Sequence, residues 1–128
     1  MCTRYSVATP LPALAAAFGF ELTSLGRFAP RHNQPPGEAV LAVRDDGDGP
    51  EAFLPTWGFA HPVDGTPLPN ARAESAHDKP TFRDALDHRR CVLPADGFFE
   101  WTDGPDGRQP YYIAPAGAHP VGLAALWT

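Results

Sequence analysis

The turn Asp103-Gly104-Pro105-Asp106-Gly107 separates two aromatic runs, Phe98-Phe99-Glu100-Trp101 and Tyr111-Tyr112-Ile113, and so commits this stretch to an antiparallel hairpin. Strand alternation places Phe99 and Trp101 on one face and Phe98 and Glu100 on the other. A second hairpin is expected earlier, with Ala39 to Arg44 as one strand, the acidic Gly-rich turn Asp45 to Pro50, and a return from Ala52 to Trp57. Further strands are expected at Cys91 to Leu93 and at Val121 to Trp127. Helical patterns are short. Thr9 is placed to cap a helix over Pro10 to Phe18 closed by Gly19, and Phe82 and Leu86, four apart, mark a helix over Thr81 to His88. Phe28 to Gly37 and His61 to Pro69 read as loops from their proline and glycine content. The pattern predicts an α+β domain of antiparallel hairpins, closing toward a barrel-like sheet, with two short helices and no internal repeat or interdomain linker.

With 128 residues and 43% hydrophobic composition, one globular domain is expected over residues 1–128. No apolar run approaches the length of a membrane span, and no basic segment followed by an apolar one opens the chain, so no membrane partner is expected. Cys91, in Arg90-Cys91-Val92-Leu93, reads as a small buried strand residue, which points to a reducing cytoplasmic setting. His32, His61, His77, His88 and His119 stand singly, so neither a metal nor any other cofactor is expected. The net charge of −5 argues against nonspecific duplex binding, yet nine of the ten basic residues are arginines, while Asp45, Asp46, Asp48 and Glu51 crowd one turn and Asp103 and Asp106 another. An arginine-lined face therefore remains open. The apolar run Val121 to Trp127 stops one residue before the chain does, and a larger domain, cut at its C-terminal side, is expected from it.

Cys2 follows Met1 directly, and loss of Met1 leaves an amine and a thiol on adjacent carbons. That pair condenses with an aldehyde to an imine and closes a five-membered thiazolidine, a reaction no internal cysteine can complete. In model peptides the amine titrates at roughly 7.7–8.0 and the thiol at about 8.5, so both are partly nucleophilic near neutral pH. Glu100, a carboxylate among aromatic residues, is a candidate proton shuttle or an outward-facing strand residue. Asn70, in Asn70-Ala71-Arg72-Ala73-Glu74, is a candidate orienting group or the start of an Asx turn.

In order and spacing, six segments resemble the SOS response-associated peptidase (SRAP) family: Met1-Cys2-Thr3-Arg4-Tyr5, Arg31-His32-Asn33-Gln34-Pro35-Pro36, Trp57-Gly58-Phe59, Asn70-Ala71-Arg72-Ala73-Glu74, Arg89-Arg90-Cys91-Val92-Leu93-Pro94 and Gly97-Phe98-Phe99-Glu100-Trp101. The resemblance implies an SRAP-like fold and a protein that processes abasic sites in single-stranded DNA by a covalent thiazolidine crosslink through Cys2. It also implies a related peptidase activity that removes what precedes Cys2, here Met1. By the same resemblance Cys2, Asn70 and Glu100 are the catalytic set, and Arg4, Pro36, Arg72 and Trp101 contact DNA, while Trp57 packs the core. Cytoplasmic location, with nucleoid association when DNA is bound, follows from that role, and no obligate protein partner is implied. Three features depart from the family pattern. Its active-site histidine motif lies beyond Thr128, His61-Pro62-Val63 stands where members often carry DNA-wedging tryptophans, and Thr3, His32 and Pro35 replace the expected Gly, Tyr and Ala. The competing readings are an N-terminal-cysteine amidohydrolase or protease, in which the Cys2 thiol attacks an amide, and a catalytically impaired fragment.

Overall fold

The computed structural model describes residues 2–22, 25, 28–117 and 120–128, so Met1 and His119 lie outside the described residues. Along the chain run β1 (Arg4–Val7), α1 (Leu11–Phe18), β2 (Arg31–Gln34), β3 (Ala42–Asp45), β4 (Pro50–Phe53), β5 (Phe59–Ala60), β6 (Pro67–Leu68), α2 (Pro80–His88), β7 (Arg90–Ala95), β8 (Gly97–Gly104), β9 (Gly107–Ile113) and β10 (Val121–Leu126). The strands form two antiparallel four-stranded sheets, ordered β2-β1-β8-β9 and β10-β7-β3-β4, and a separate β5-β6 pair. The fold is α+β, but its sheets are open and do not close into a barrel.

The hairpin around Asp103–Gly107 forms as its turn chemistry requires, with Phe98 opposite Ile113, Glu100 opposite Tyr111, and Gly104 opposite Gly107. The earlier hairpin is also present, with Ala42 opposite Phe53 and Asp45 opposite Pro50. Helix α2 buries Phe82 and Ala85 on one face. The core between the sheets and α1 is built from Tyr5, Val7, Leu14, Phe20, Val40, Leu41, Leu93 and Ala95, and Cys91 is buried with them.

Three local expectations give way to tertiary structure. Arg31–Gln34, read as loop, is an edge strand, because β1 offers it a free ladder, with Tyr5 opposite Gln34 and Val7 opposite Arg31 across a bulge. The segment from His61 to Pro69 is likewise not all loop. Its second arm is β6, pairing Phe59 with Leu68 and Ala60 with Pro67. Thr9 does not cap α1. Pro10 occupies the N-cap without a side-chain bond, and Gly19 closes the helix in the left-handed region at φ 75°. The Thr9 hydroxyl instead donates to Asp96, which also accepts from the backbone N–H groups of Ala8 and Thr9. Asp96 returns a backbone N–H to the Ser6 carbonyl at 2.8 Å. These bonds fix the end of β1 to the corner between β7 and β8.

At that corner the backbones pack too closely for any side chain. A Cβ on Gly97 would lie 2.6 Å from both the Ile113 carbonyl and the Tyr112 ring. Gly97→Ala is therefore expected to destabilise the chain by about 1–3 kcal/mol, as overpacking does, read as a lower urea unfolding midpoint. An unchanged midpoint would mean that β8 and β9 do not pair in this register.

Candidate active site around Cys2

The site is assembled by β1. Its register against β8 sets Arg4 opposite Phe99, Tyr5 opposite Phe98 and Ser6 opposite Gly97. Opposed residues share a face, so Tyr5, Phe98 and, two residues on, Glu100 look to one side of the sheet, while Phe99 and Trp101 look to the other. This agrees with the alternation read from the sequence. Cys2, just before β1, is half-buried and packs on the core beneath Tyr5. Its thiol donates to the Arg4 carbonyl at 3.1 Å. From 68 residues away, the Asn70 Nδ2 donates to the Cys2 carbonyl at 2.7 Å. Asn70 thus spends its amide on the N-terminal segment rather than on an Asx turn.

Electrostatics links the third member to this pair. Burial pushes the Cys2 thiol above its ordinary range, and the charge of the Glu100 carboxylate adds to the shift. At neutral pH the thiol is held protonated. Burial alone does the same to Cys91, whose thiol rises to about 11 against a small opposing effect of Arg44, which makes it a poor nucleophile. Burial, with the Cys2 thiol beside it, also pushes the Tyr5 phenol up.

Cys2, Tyr5, Trp57, Asn70 and Cys91 line one cavity of about 570 Å³. Its other walls are mostly apolar and come from the segment 55–76, from α2 and β7, and from β10 with the residues that follow it. Arg4, Pro36, Arg72, Glu100 and Trp101 do not line it. Arg4 is half-buried at the start of β1, two residues beyond Cys2, Pro36 is half-buried in the turn after β2, and Arg72 is exposed two residues beyond Asn70. Trp101 lies on the sheet face opposite Glu100, tilted against Phe99 at 6.3 Å between ring centroids, and Phe99 in turn meets Tyr112 at 5.0 Å. Of the seven residues expected at the site, Asn70 bonds to Cys2 and the Glu100 charge acts on the Cys2 thiol, whereas Arg4, opposite Phe99, shares the face of Phe99 and Trp101.

The arginines divide by partner. Arg31 pairs with Glu38, Arg44 with Glu51 and Asp46, Arg89 with Asp84 and Arg108 with Asp103, whereas Arg4, Arg72, Arg83 and Arg90 have no ion pair among the described residues. Among the described residues no group of three or more His, Cys, Asp and Glu side chains could hold a metal ion, and no helix is long and apolar enough to cross a membrane.

Sequence reasoning missed Tyr5. It is 1% exposed, and its hydroxyl has no hydrogen-bond partner among the described residues. Only the alternation Tyr5-Ser6-Val7 hinted that it faces the core. An unpartnered buried hydroxyl costs stability, so Tyr5→Phe is expected to keep or raise the thermal midpoint of the free protein. A lower midpoint would mean that the hydroxyl is satisfied in solution.

Comparison with known proteins supplies the family. The profile of the SOS response-associated peptidase family (SRAP) matches residues 1–128. Abasic site processing protein YedK of Escherichia coli (strain K12) is 35% identical over 97 residues, covering 75% of this chain and 44% of that protein. YoaM of Bacillus subtilis (strain 168), also an abasic site processing protein, is 32% identical over 107 residues, covering 79% of this chain and 47% of that protein. This chain spans about half the length of those curated relatives. A crystal structure of a protein from Bacteroides thetaiotaomicron shares the fold at a TM-score of 0.81 and 21% identity, covering 98% of this chain and 59% of the other. With the family profile matched from the first residue to the last, the chain belongs to the SOS response-associated peptidase family.

Proposed function

We propose that this chain processes abasic sites in single-stranded DNA by bonding to them covalently through Cys2. The observation that carries the reading is the convergence of the Asn70 amide, 2.7 Å from the Cys2 carbonyl, and the Glu100 carboxylate on one residue of aminothiol potential. Once Met1 is removed by hydrolysis of its peptide bond, the Cys2 amine attacks the aldehyde carbon of the ring-opened deoxyribose. The resulting carbinolamine loses water to give an imine. The thiol sulfur then adds to the imine carbon, its proton ends on the nitrogen, and the five-membered ring is closed. One water leaves in all.

Each side chain has a task in that sequence. Asn70 fixes the backbone of the reacting residue, so that amine and sulfur approach one carbon in succession. Glu100 carries protons, to the departing hydroxyl in the first stage and from the thiol in the second. Because burial keeps the thiol protonated, the amine acts first and the thiol needs that help to close the ring. Arg4 and Arg72, without carboxylate partners among the described residues, are free to meet phosphates, and we assign Pro36 and Trp101 to contacts with the strand around the lesion. The same groups would serve the family's peptidase activity toward Met1. An N-terminal-cysteine amidohydrolase would use the same nucleophile, but arginines close in the chain to Cys2 and Asn70 and without ion-pair partners among the described residues suit a phosphate-bearing substrate better than a neutral amide.

The deciding experiment incubates the Met1-free protein with a single-stranded oligonucleotide carrying an abasic site. A heat-stable adduct is expected, and Cys2→Ala abolishes it. Adduct that persists in Cys2→Ala, or that requires Cys91, contradicts the reading, and so does full reaction of protein retaining Met1.

The pH dependence follows from the electrostatics. Closure quickens as the thiol ionises, so the rate rises with pH through the neutral and mildly alkaline range. Removing a nearby negative charge lowers the thiol's titration point, so Glu100→Gln shifts this rise to lower pH while slowing the reaction about tenfold or more at its best pH. Arg72→Ala instead weakens binding and lowers its salt slope by about one phosphate contact. A shift to higher pH in Glu100→Gln, or equal binding losses in both variants, would contradict the assignment.

A further inference from the structure

Trp57 stands where the parts of the site meet. Its backbone N–H donates to the Glu38 carbonyl at 2.9 Å and its carbonyl accepts from Gly37 at 2.7 Å, which ties it to the turn that contains Pro36. Its ring packs edge-on against Tyr5 with centroids 5.3 Å apart, three residues from Cys2. Its indole Nε1–H donates to the Pro69 carbonyl at 2.8 Å, next to Asn70.

The last bond has a structural reason. Residues 58–69 fold back through β5 and β6, with Phe59 opposite Leu68 and Ala60 opposite Pro67. In this register the His61 N–H donates to the Thr66 carbonyl, so the rung between residues 58 and 69 is a non-hydrogen-bonded one and the ladder itself does not tie the arms there. The indole supplies a bond at that position from the other arm. Gly58 permits the approach, since its φ of 112° and the 2.8 Å that would separate its Cβ from Pro67 exclude a larger residue. The hairpin is thus closed by a side chain at the point where the chain emerges as Asn70.

The geometry points to Trp57 as the positioning residue of the reacting terminus: its indole N–H, acting through Pro69, holds the Asn70 amide on the Cys2 carbonyl. This assignment rests on the roles given above to Cys2 and Asn70. Packing alone would need the ring of Trp57 but not its N–H.

Trp57→Phe separates the two, because it keeps a ring against Tyr5 and removes the donor. In ¹⁵N-labelled protein without DNA, the Asn70 side-chain amide resonances are expected to shift toward solvent-exposed values in Trp57→Phe. With saturating abasic single strand, the crosslinking rate falls about tenfold while the DNA concentration for half-saturation is unchanged. The double variant Trp57→Phe/Asn70→Ala reacts no more slowly than Asn70→Ala alone, because both changes break one linkage. A reciprocal measurement leaves Trp57 intact: Asn70→Ala is expected to move the Trp57 indole N–H resonance, which decides the matter even where Trp57→Phe folds poorly. Unmoved Asn70 and indole resonances, or rate losses that multiply in the double variant, would overturn the assignment. A wild-type protein that forms no adduct would instead defeat the proposed function, and the two resonance measurements would still decide the role of Trp57.

Discussion

The pairing of β1 between β2 and β8 is the constraint on which the site depends. Strand β1 is only four residues long, yet Tyr5, Ser6 and Val7 are all buried. A slip of one residue would turn Tyr5 and Val7 out of the core and move Cys2 away from Asn70, so core burial and site assembly are enforced by the same register. Burial of Tyr5 and Val7 is worth roughly 1.5–3 kcal/mol per side chain, more than a strained register could recover by hydrogen bonding alone. Asp96 adds a second lock where β1 ends, accepting from Ala8 and from both donors of Thr9. The N-terminal segment, which in most domains is held loosely, is here anchored from both sides of its sheet and at its far end.

Polar groups are few around the cavity, and three of them are directed by hydrogen bonds. The Cys2 thiol, the Asn70 amide and the Trp57 indole are all engaged with backbone carbonyls. Those bonds hold backbone, not one another's side chains, and the Asn70 and Trp57 bonds do not depend on the protonation of the Cys2 thiol. Low local polarity raises the thiol and makes a neighbouring carboxylate count for more than it would in water. The arrangement suits a reaction in which neutral amine and thiol act in turn and protons are passed by one side chain.

Much of the fold was legible in local sequence. The Asp103–Gly107 turn, the acidic turn after Asp45 and the Phe82/Leu86 spacing each carry their own geometry; β8, β9 and α2 appear where those signals place them, and the earlier hairpin forms with β3 at Ala42–Asp45 rather than Ala39 to Arg44 and β4 at Pro50–Phe53 rather than Ala52 to Trp57. What was not legible is held by partners distant in sequence. The segment Arg31–Gln34 has no strand pattern of its own and is extended because β1 pairs with it. Arg4–Val7 is too short to declare itself. Thr9 obeys capping statistics poorly because Asp96, 87 residues on, competes for its hydroxyl. At the site, Cys2 could be singled out by its chemistry, but the choice of Glu100 over an outward-facing strand residue and of Asn70 over an ordinary turn residue needed the resemblance to a family. Trp57 read as core packing, and its ring does pack there, but an indole bond spanning 12 residues leaves no periodic trace.

The central claim is that one residue supplies both nucleophiles, and intact-mass analysis of the adduct with an abasic single strand tests it most directly. The account predicts the sum of Met1-free protein and oligonucleotide less one water, unchanged by borohydride because ring closure has consumed the imine, with the modified peptide beginning at Cys2. An adduct that takes up two hydrogens from borohydride, or whose modified residue is Lys79 or Cys91, would contradict it.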